Sequence, residues 1–241
     1  MTTAIILAGG LGTRLRDAVP DLPKPMAPIN GRPFLEHQLD YWIGQGIERF
    51  VLSVGYRHKA ITAHFGAAYK QIPLDYAIEP SPLGTGGALL LAAERLSGEA
   101  AFLLLNGDTY FEVQLAALYG FHKRKKADCT FALFRAAKID RYMGMETAGD
   151  GRIASLRSGS GEPGQLVNGG VYLVNPDALC IGGWKLGNKI SLEDDILPAA
   201  LAAGRRFYGL ECSGTFIDIG VPEDYFRASG LLAARASSFG A

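Results

Sequence analysis

Two aspartates and a proline-flanked lysine are the residues of this chain best suited to chemistry on a polyphosphate. Asp108 closes the run Leu105-Asn106-Gly107-Asp108, and Asp218 stands in Phe216-Ile217-Asp218-Ile219-Gly220. Each lies where a short buried strand should end. Two carboxylates converging at strand ends suit a hard divalent cation, because Mg²⁺ takes few protein oxygens and completes its shell with water and phosphate. The alternative for Asp108 is a solvated aspartate in a turn. Lys24, in Pro23-Lys24-Pro25-Met26, follows Arg14 by ten residues, and Arg14 belongs to the loop Gly9-Gly10-Leu11-Gly12-Thr13-Arg14-Leu15. Glycines there let backbone N–H groups approach a polyphosphate, and the guanidinium adds a delocalised cation. Two cations on one ordered loop suggest a triphosphate. A Gly-x-Gly after a strand is weak evidence by itself: a dinucleotide-binding loop would carry a further glycine near Leu15 and a P-loop would carry Gly-Lys-Ser/Thr, and neither is present.

A third loop, Glu79-Pro80-Ser81-Pro82-Leu83-Gly84-Thr85-Gly86-Gly87, ends one strand and opens a helix. Its backbone N–H groups are therefore expected to receive an anion or the edge of a base, with Thr85 serving also as the helix N-cap.

The elements that must position these loops can be read from periodicity. Ala4 to Ala8 is continuously apolar, as a strand buried on both faces should be. Phe34, Leu35, Gln38, Leu39, Trp42 and Ile43 recur at helical spacing. Strands are expected at 50–54, 74–78, 101–105, 130–134, 170–174 and 216–219, with helices near 58–68, 85–96, 113–126 and 192–203. Such alternation implies an α/β fold with a mostly parallel, doubly wound sheet, whose ligands collect at the carboxyl ends of the strands. Residues 136–166 are short-patterned and turn-rich, as expected of a small lobe laid over the sheet within a single domain spanning 1–241. The basic run Lys123 to Lys126 reads as the solvated end of a helix.

Composition narrows the function classes. The 24 basic and 24 acidic residues cancel, so no global field draws the protein to nucleic acid or to an anionic membrane. Hydrophobic residues make up 48% of the chain against 20% charged, which excludes a disordered chain. Cys129, Cys180 and Cys212 are far apart, which argues against a disulfide framework or a zinc site and suits a reducing cytoplasm. The apolar run at the N-terminus is too short for a signal peptide, and no stretch approaches the ~20 residues of a membrane span. A cytoplasmic protein is expected. The histidines, His37, His58, His64 and His122, lack metal-type spacing and are assigned structural or surface roles.

Taken in order, GGLGTRL, PKPM, EPSPLGTGG, LNGD, NGGVY, SLEDDILP and FIDIGVPEDY resemble the sugar-1-phosphate nucleotidyltransferase family over nearly the whole chain. The resemblance implies a Rossmann-like sheet with a small sugar-binding lobe, and attack by a sugar 1-phosphate oxygen on the α-phosphorus of an NTP. By position, Leu7, Ala8, Gly9, Gly10, Gly12 and Thr13 would contact the nucleotide together with Glu79, Gly84 and Thr85. Arg14 and Lys24 would steady the phosphates, and Asp108 and Asp218 would hold Mg²⁺. Glu79 falls where such enzymes meet the base. A carboxylate has only acceptors at neutral pH and so suits the N1–H and N2–H₂ donors of guanine, which favours GTP, although backbone groups offer another way to read a base.

The sugar would meet Gly144, Asn168, Gly169 and Glu193, with bracing of a turn as the alternative role for Asn168. Family members carry a Glu-Lys pair shortly before the Asn-Gly-Gly block. This chain has Leu156-Arg157-Ser158 nearby instead, so Arg157 is expected to replace the lysine on the sugar phosphate. PKPMAPIN, the segment Asp140-Arg141-Tyr142 and NGGVYL point within the family to its heptose 1-phosphate guanylyltransferases; mannose-1-phosphate guanylyltransferases and N-acetylmuramate-1-phosphate uridylyltransferases share most of the blocks. A homo-oligomer is compatible with this reading, and the appended β-helix of bifunctional relatives is not expected. Two other classes remain: a catalytically silent sugar-nucleotide sensor, which would not need Arg14, Lys24, Asp108 and Asp218, and a nicotinamide oxidoreductase, which would need the missing glycine.

Overall fold

A computed structural model describes residues 2–10, 12–15, 18–136, 142–158, 163–179 and 183–236. The first strand, β1 (Thr3–Leu7), is followed by α1 (Phe34–Gly44), β2 (Arg49–Val54), α2 (His58–Phe65), β3 (Ile72–Ile78), α3 (Gly84–Ala93) and β4 (Phe102–Asn106). β1 pairs in parallel with β2 on one side and β4 on the other, and β2 pairs in parallel with β3. The spatial order is thus β4-β1-β2-β3, and winding reverses between β1 and β4. In a doubly wound sheet that reversal opens a crevice at the strands' carboxyl ends. The loops bearing Gly9 and Asp108 both leave the sheet there.

Period-two alternation explains how these apolar strands serve two layers. Ile6, Leu52, Leu103 and Leu105 join the core under α1 and α6 (Pro222–Ala236), whereas Ile5, Val51, Phe102 and Leu104 join the core with Leu89 and Ala92 of α3. All these strand residues are buried. Fully burying one such side chain contributes roughly 1.5–3 kcal/mol, so both faces hold the crevice walls in place.

Beyond β4 the sheet becomes mixed, mostly antiparallel with one parallel pair, Phe207–Glu211 against Cys129–Arg135. β5 (Thr109–Phe111) and α4 (Leu115–Lys125) lead to β6 (Cys129–Arg135), β7 (Met143–Thr147), β8 (Ile153–Ser158) and β9 (Leu166–Val174). β9 lies antiparallel to β4 through residues 171–174 and antiparallel to β6 on its other edge. In the 136–166 region the β7–β8 hairpin joins the sheet's edge through the pair Gly144↔Val167. Its tip reaches the 207–211 strand: Arg152 bridges Tyr208, and Gly209 N–H donates to the Gly151 carbonyl at 2.9 Å. Met145 and Ile153 are buried in the core with Phe131, Leu133 and Phe207. Residues 137–141, and with them Asp140 and Arg141, lie outside the described residues.

The chain closes with α5 (Leu197–Ala202), β10 (Phe207–Glu211), β11 (Phe216–Asp218) and α6. The single helix expected over 192–203 begins as a π-helical turn, Leu192–Ile196. Pro198, which follows within the first turn of α5, cannot donate to the ladder and its ring crowds the carbonyl four residues back. A wider turn ahead of it relieves that crowding. The basic run ends α4 as expected, with Lys126 in the left-handed region at φ 48°. No helix among the described residues is long and apolar enough to cross a membrane.

Candidate active site

Lys24 opens a 3₁₀ turn, Lys24–Met26, that Pro23 and Pro25 stiffen from either side. Its ammonium lies 2.5 Å from Asp108 Oδ2 and 3.9 Å from Asp218 Oδ1. The two aspartates come together because β5 and β11 pair antiparallel with Asp218 opposite Thr109, and Ile219 N–H donates to the Asp108 carbonyl at 3.0 Å. Two residues 110 positions apart in sequence are thereby set against one lysine. The lysine side chain is 10% exposed, the aspartates 38% and 19%. Burial would lift the Asp108 carboxyl, but the Lys24 charge and hydrogen bond outweigh it and hold the group below the usual carboxylate range.

The backbone around this cluster is closely fitted. A Cβ on Gly107 would stand 2.5 Å from the Leu7 carbonyl, and Gly107 N–H donates to that same oxygen at 3.0 Å. The turn bearing Asp108 is thus fastened to the end of β1. Gly12, at φ 59°, brings the glycine loop onto Lys24, where an added Cβ would meet the lysine Cβ at 3.3 Å. Leu7, Ala8, Gly9 and Gly10 line the approach from β1, and Arg14 is exposed on the following 3₁₀ turn, Thr13–Leu15. The Thr13 side chain and Leu11 lie outside the described residues.

Glu79 leaves the end of β3 and points back across the crevice mouth. Its carboxylate accepts from Leu83 N–H at 3.1 Å, and its Oε1 presses on Gly9, where a Cβ would lie 1.8 Å away. Burial raises its pKa above the usual carboxyl range, against the lowering effect of the bonds from Leu83 and Ser53. Of the candidates for the nucleotide and its phosphates, then, Gly9 meets Glu79 and Gly12 meets Lys24.

The start of α3 departs from the expected anion cradle. Gly86 and Gly87 N–H both donate to the Ile190 carbonyl, at 2.9 and 3.1 Å. Leu83, with no side-chain cap, occupies the N-cap position expected of Thr85. The Thr85 hydroxyl instead donates to Glu193 Oε2 at 2.6 Å and accepts from Leu192 N–H at 2.8 Å. The small residues of this loop serve the close approach of 188–192: a Cβ on Gly84, itself at φ 71°, would meet the Ile190 carbonyl at 2.5 Å.

Among the sugar candidates, Asn168 donates to Tyr172 Oη at 2.6 Å and its Oδ1 accepts from Gly170 N–H at 3.1 Å, so its amide braces the turn. Gly169 is held against Phe111, where a Cβ would come within 2.5 Å. Gly144 and Arg157 face each other across the β7–β8 ladder, and Gly144 also pairs with Val167. The Arg157 side chain lies outside the described residues. Gly144, Asn168 and Gly169 thus lie close together, and Glu193, tied to Thr85, lies near enough for its charge to act on Tyr172, the partner of Asn168.

Sequence reasoning missed Gln38, whose amide reaches both sides of the Asp108 turn. Its signal was a polar residue in an otherwise apolar helical stripe. Among the described residues no group of three or more His, Cys, Asp or Glu could hold a metal ion. The Asp108–Asp218 pair still fits Mg²⁺, which needs one or two carboxylates with the rest supplied by water and phosphate. Both carboxylates already gather around a cation, Lys24.

A family model described as Nucleotidyl transferase matches residues 3–235. The chain is 41% identical over 225 residues to a D-glycero-alpha-D-manno-heptose 1-phosphate guanylyltransferase from Aneurinibacillus thermoaerophilus, covering 93% of this chain and 96% of that one. It is 37% identical over 226 residues to the protein of the same name from Campylobacter jejuni, covering 93% and 97%. The structure of HddC from Yersinia pseudotuberculosis complexed with GMP-PN superimposes with a TM-score of 0.82 at 30% identity, over 96% of this chain and all of that one (100%).

Proposed function

This chain belongs to the nucleotidyl transferase family, and from that premise we propose that it transfers GMP from GTP to D-glycero-α-D-manno-heptose 1-phosphate. A phosphate oxygen of the sugar 1-phosphate attacks the α-phosphorus, a new P–O bond forms, and the bond to the β-phosphate bridging oxygen breaks. GDP-heptose and pyrophosphate result, the former a building block for surface polysaccharide such as capsule. The observation that carries the reading is the cluster of Lys24, Asp108 and Asp218 beside the glycine loop at the sheet's switch point.

Lys24 and Arg14 stabilise charge on the phosphates as the pentacoordinate transition state develops, where fixed cations in a partly dry site act most strongly. The glycine loop from Gly9 to Gly12, with Thr13, offers backbone N–H groups to the same phosphates. Asp108 and Asp218 hold Mg²⁺, which supplies Lewis-acid neutralisation of the phosphate oxygens. Glu79 and the backbone near Gly84 and Thr85 address the base: an ionised Glu79 accepts from the N1–H and N2–H₂ of guanine, whereas uracil presents an acceptor at O4. Gly144, Arg157, Asn168, Gly169 and Glu193 address the sugar phosphate. For Asn168 and Glu193 this means exchanging their present partners, Tyr172 and Thr85, for sugar hydroxyls.

Pyrophosphate release with Mg²⁺, measured for GTP, UTP, dTTP and ATP crossed with heptose, mannose, glucose and N-acetylmuramic acid 1-phosphates, tests the reading. Turnover with GTP and the heptose 1-phosphate is expected to exceed every other pair. Preference for UTP would overturn the role of Glu79, and preference for mannose 1-phosphate would overturn the sugar.

A further inference from the structure

Gln38 is 1% exposed on α1, in a stripe otherwise built of Phe34, Leu35, Leu39 and Trp42. A leucine or methionine would pack there without any polar group to satisfy. The amide Nε2 donates instead to the Asn106 carbonyl at 2.9 Å and to the Thr109 carbonyl. Those two carbonyls bracket Gly107 and Asp108. One side chain therefore closes the turn from both ends, while Gly107 N–H ties it to β1 and the Asp108 carbonyl ties it to β11. The Asp108 carboxylate is the group these bonds leave to face the crevice.

The orientation of the amide follows from its partners, since two carbonyl oxygens require the nitrogen between them. Gln38 Oε1 is left without a hydrogen-bond partner in the interior. An unpaired buried acceptor is unfavourable, so a residue chosen for packing alone would not place one here. From this geometry we infer that Gln38 is a positioning residue for the metal-binding carboxylate: it holds the Asn106–Thr109 turn in the shape that aims Asp108 at the divalent cation. The inference rests on the assignment of Asp108 to Mg²⁺ above. Groups that orient a metal ligand without touching the metal contribute to affinity through geometry, and their loss typically weakens binding about 10–100-fold.

The test uses Mn²⁺ as the probe. Its binding to the protein carrying a non-hydrolysable GTP analogue is read by electron paramagnetic resonance, alongside calorimetric binding of the analogue without metal. Gln38→Met keeps side-chain length and removes the donor. It is expected to weaken Mn²⁺ binding about 10–100-fold and to raise by a similar factor the Mg²⁺ concentration for half-maximal turnover, with metal-free analogue affinity within about twofold of the parent. A merely structural defect would move the metal-free affinity as well.

If the parent binds Mn²⁺, Asp108→Asn loses it and folded Gln38→Met binds it as the parent does, the positioning role is overturned while the metal site stands. If Asp108→Asn binds Mn²⁺ like the parent, the metal assignment fails and the inference with it. Should Gln38→Met not fold, Gln38→Leu replaces it: an apolar side chain of similar volume that cannot donate, so parent-level Mn²⁺ affinity there also overturns the role.

Discussion

The phosphate end and the sugar end of the crevice are built on opposite plans. Around Asp108 the backbone is fastened to β1, β11 and α1, and the charged groups Lys24, Asp108 and Asp218 already face one another. At the sugar end the polar groups are occupied by their neighbours: Asn168 by Tyr172 and Gly170, Glu193 by Thr85. Charge at the phosphate end must be in place before the transition state forms, because reorganising dipoles during the reaction would forfeit their advantage. Recognition of hydroxyls can proceed by exchanging one hydrogen bond for another at small net cost. On the roles proposed above, the difference teaches that rate would be set by a rigid cluster and sugar choice by a patch that exchanges its hydrogen-bond partners.

The sharpest way to break this contrast is Asp108→Asn. We expect turnover to fall on the order of a thousandfold with the fold intact and the melting temperature lowered, since Lys24 loses the charge of its 2.5 Å partner. Retained turnover in a steady-state pyrophosphate assay would remove the metal-holding role. Next in size, Gly169→Ala forces a Cβ toward Phe111 at 2.5 Å, and overpacking of this kind costs about 1–3 kcal/mol. Chemical denaturation should show that loss, with the KM for the sugar phosphate rising more than that for GTP; equal changes in both would argue against a sugar-side location.

Glu79 sharpens the comparison from the nucleotide side. Replacing it with glutamine should lower kcat/KM for GTP by about tenfold, or ~1.4 kcal/mol, and improve UTP. Its pKa is raised by burial, so protonation begins at a higher pH than for an ordinary carboxyl. As pH falls through that raised value the acceptor is lost and kcat/KM for GTP should decline, a limb that Glu79→Gln abolishes. Persistence of the same limb in the variant would assign it to another group. The smallest expected effect is that of Thr85→Val, which cuts the 2.6 Å bond to Glu193. A stability loss of about 1 kcal/mol should accompany a sugar-phosphate KM altered by a few-fold, with KM for GTP unchanged. A change confined to GTP would place the Thr85 side chain, and not only its backbone, at the base.

The elements of the proposed phosphate end were legible from residue order because they are local: a buried strand, a glycine loop, a lysine between prolines. The helix at 34–44 and the buried strands followed from apolar spacing in the same way. The attachment of the β7–β8 hairpin was not legible, because it runs through the pairs Gly144↔Val167 and Arg152↔Tyr208, which no local pattern encodes. Thr85 looked like an N-cap because threonine often is one; the Ile190 carbonyl, over a hundred residues away, had already taken the helix's free N–H groups.

Residue types and their spacing determined which groups this protein brings to its chemistry: two strand-end aspartates, a stiffened lysine, a carboxylate for a base edge and a doubly wound sheet to carry them. Side-chain chemistry and backbone periodicity are local properties, and they survive in a linear reading. Tertiary structure alone decided that Asp218 meets Asp108 across β5 and β11, that Glu193 is bound to Thr85, and that a glutamine from α1 closes the turn bearing Asp108. Hydrogen bonds and ion pairs act over a few ångströms, so partners distant in sequence are chosen only once packing of the sheet and its two helical layers brings them within reach.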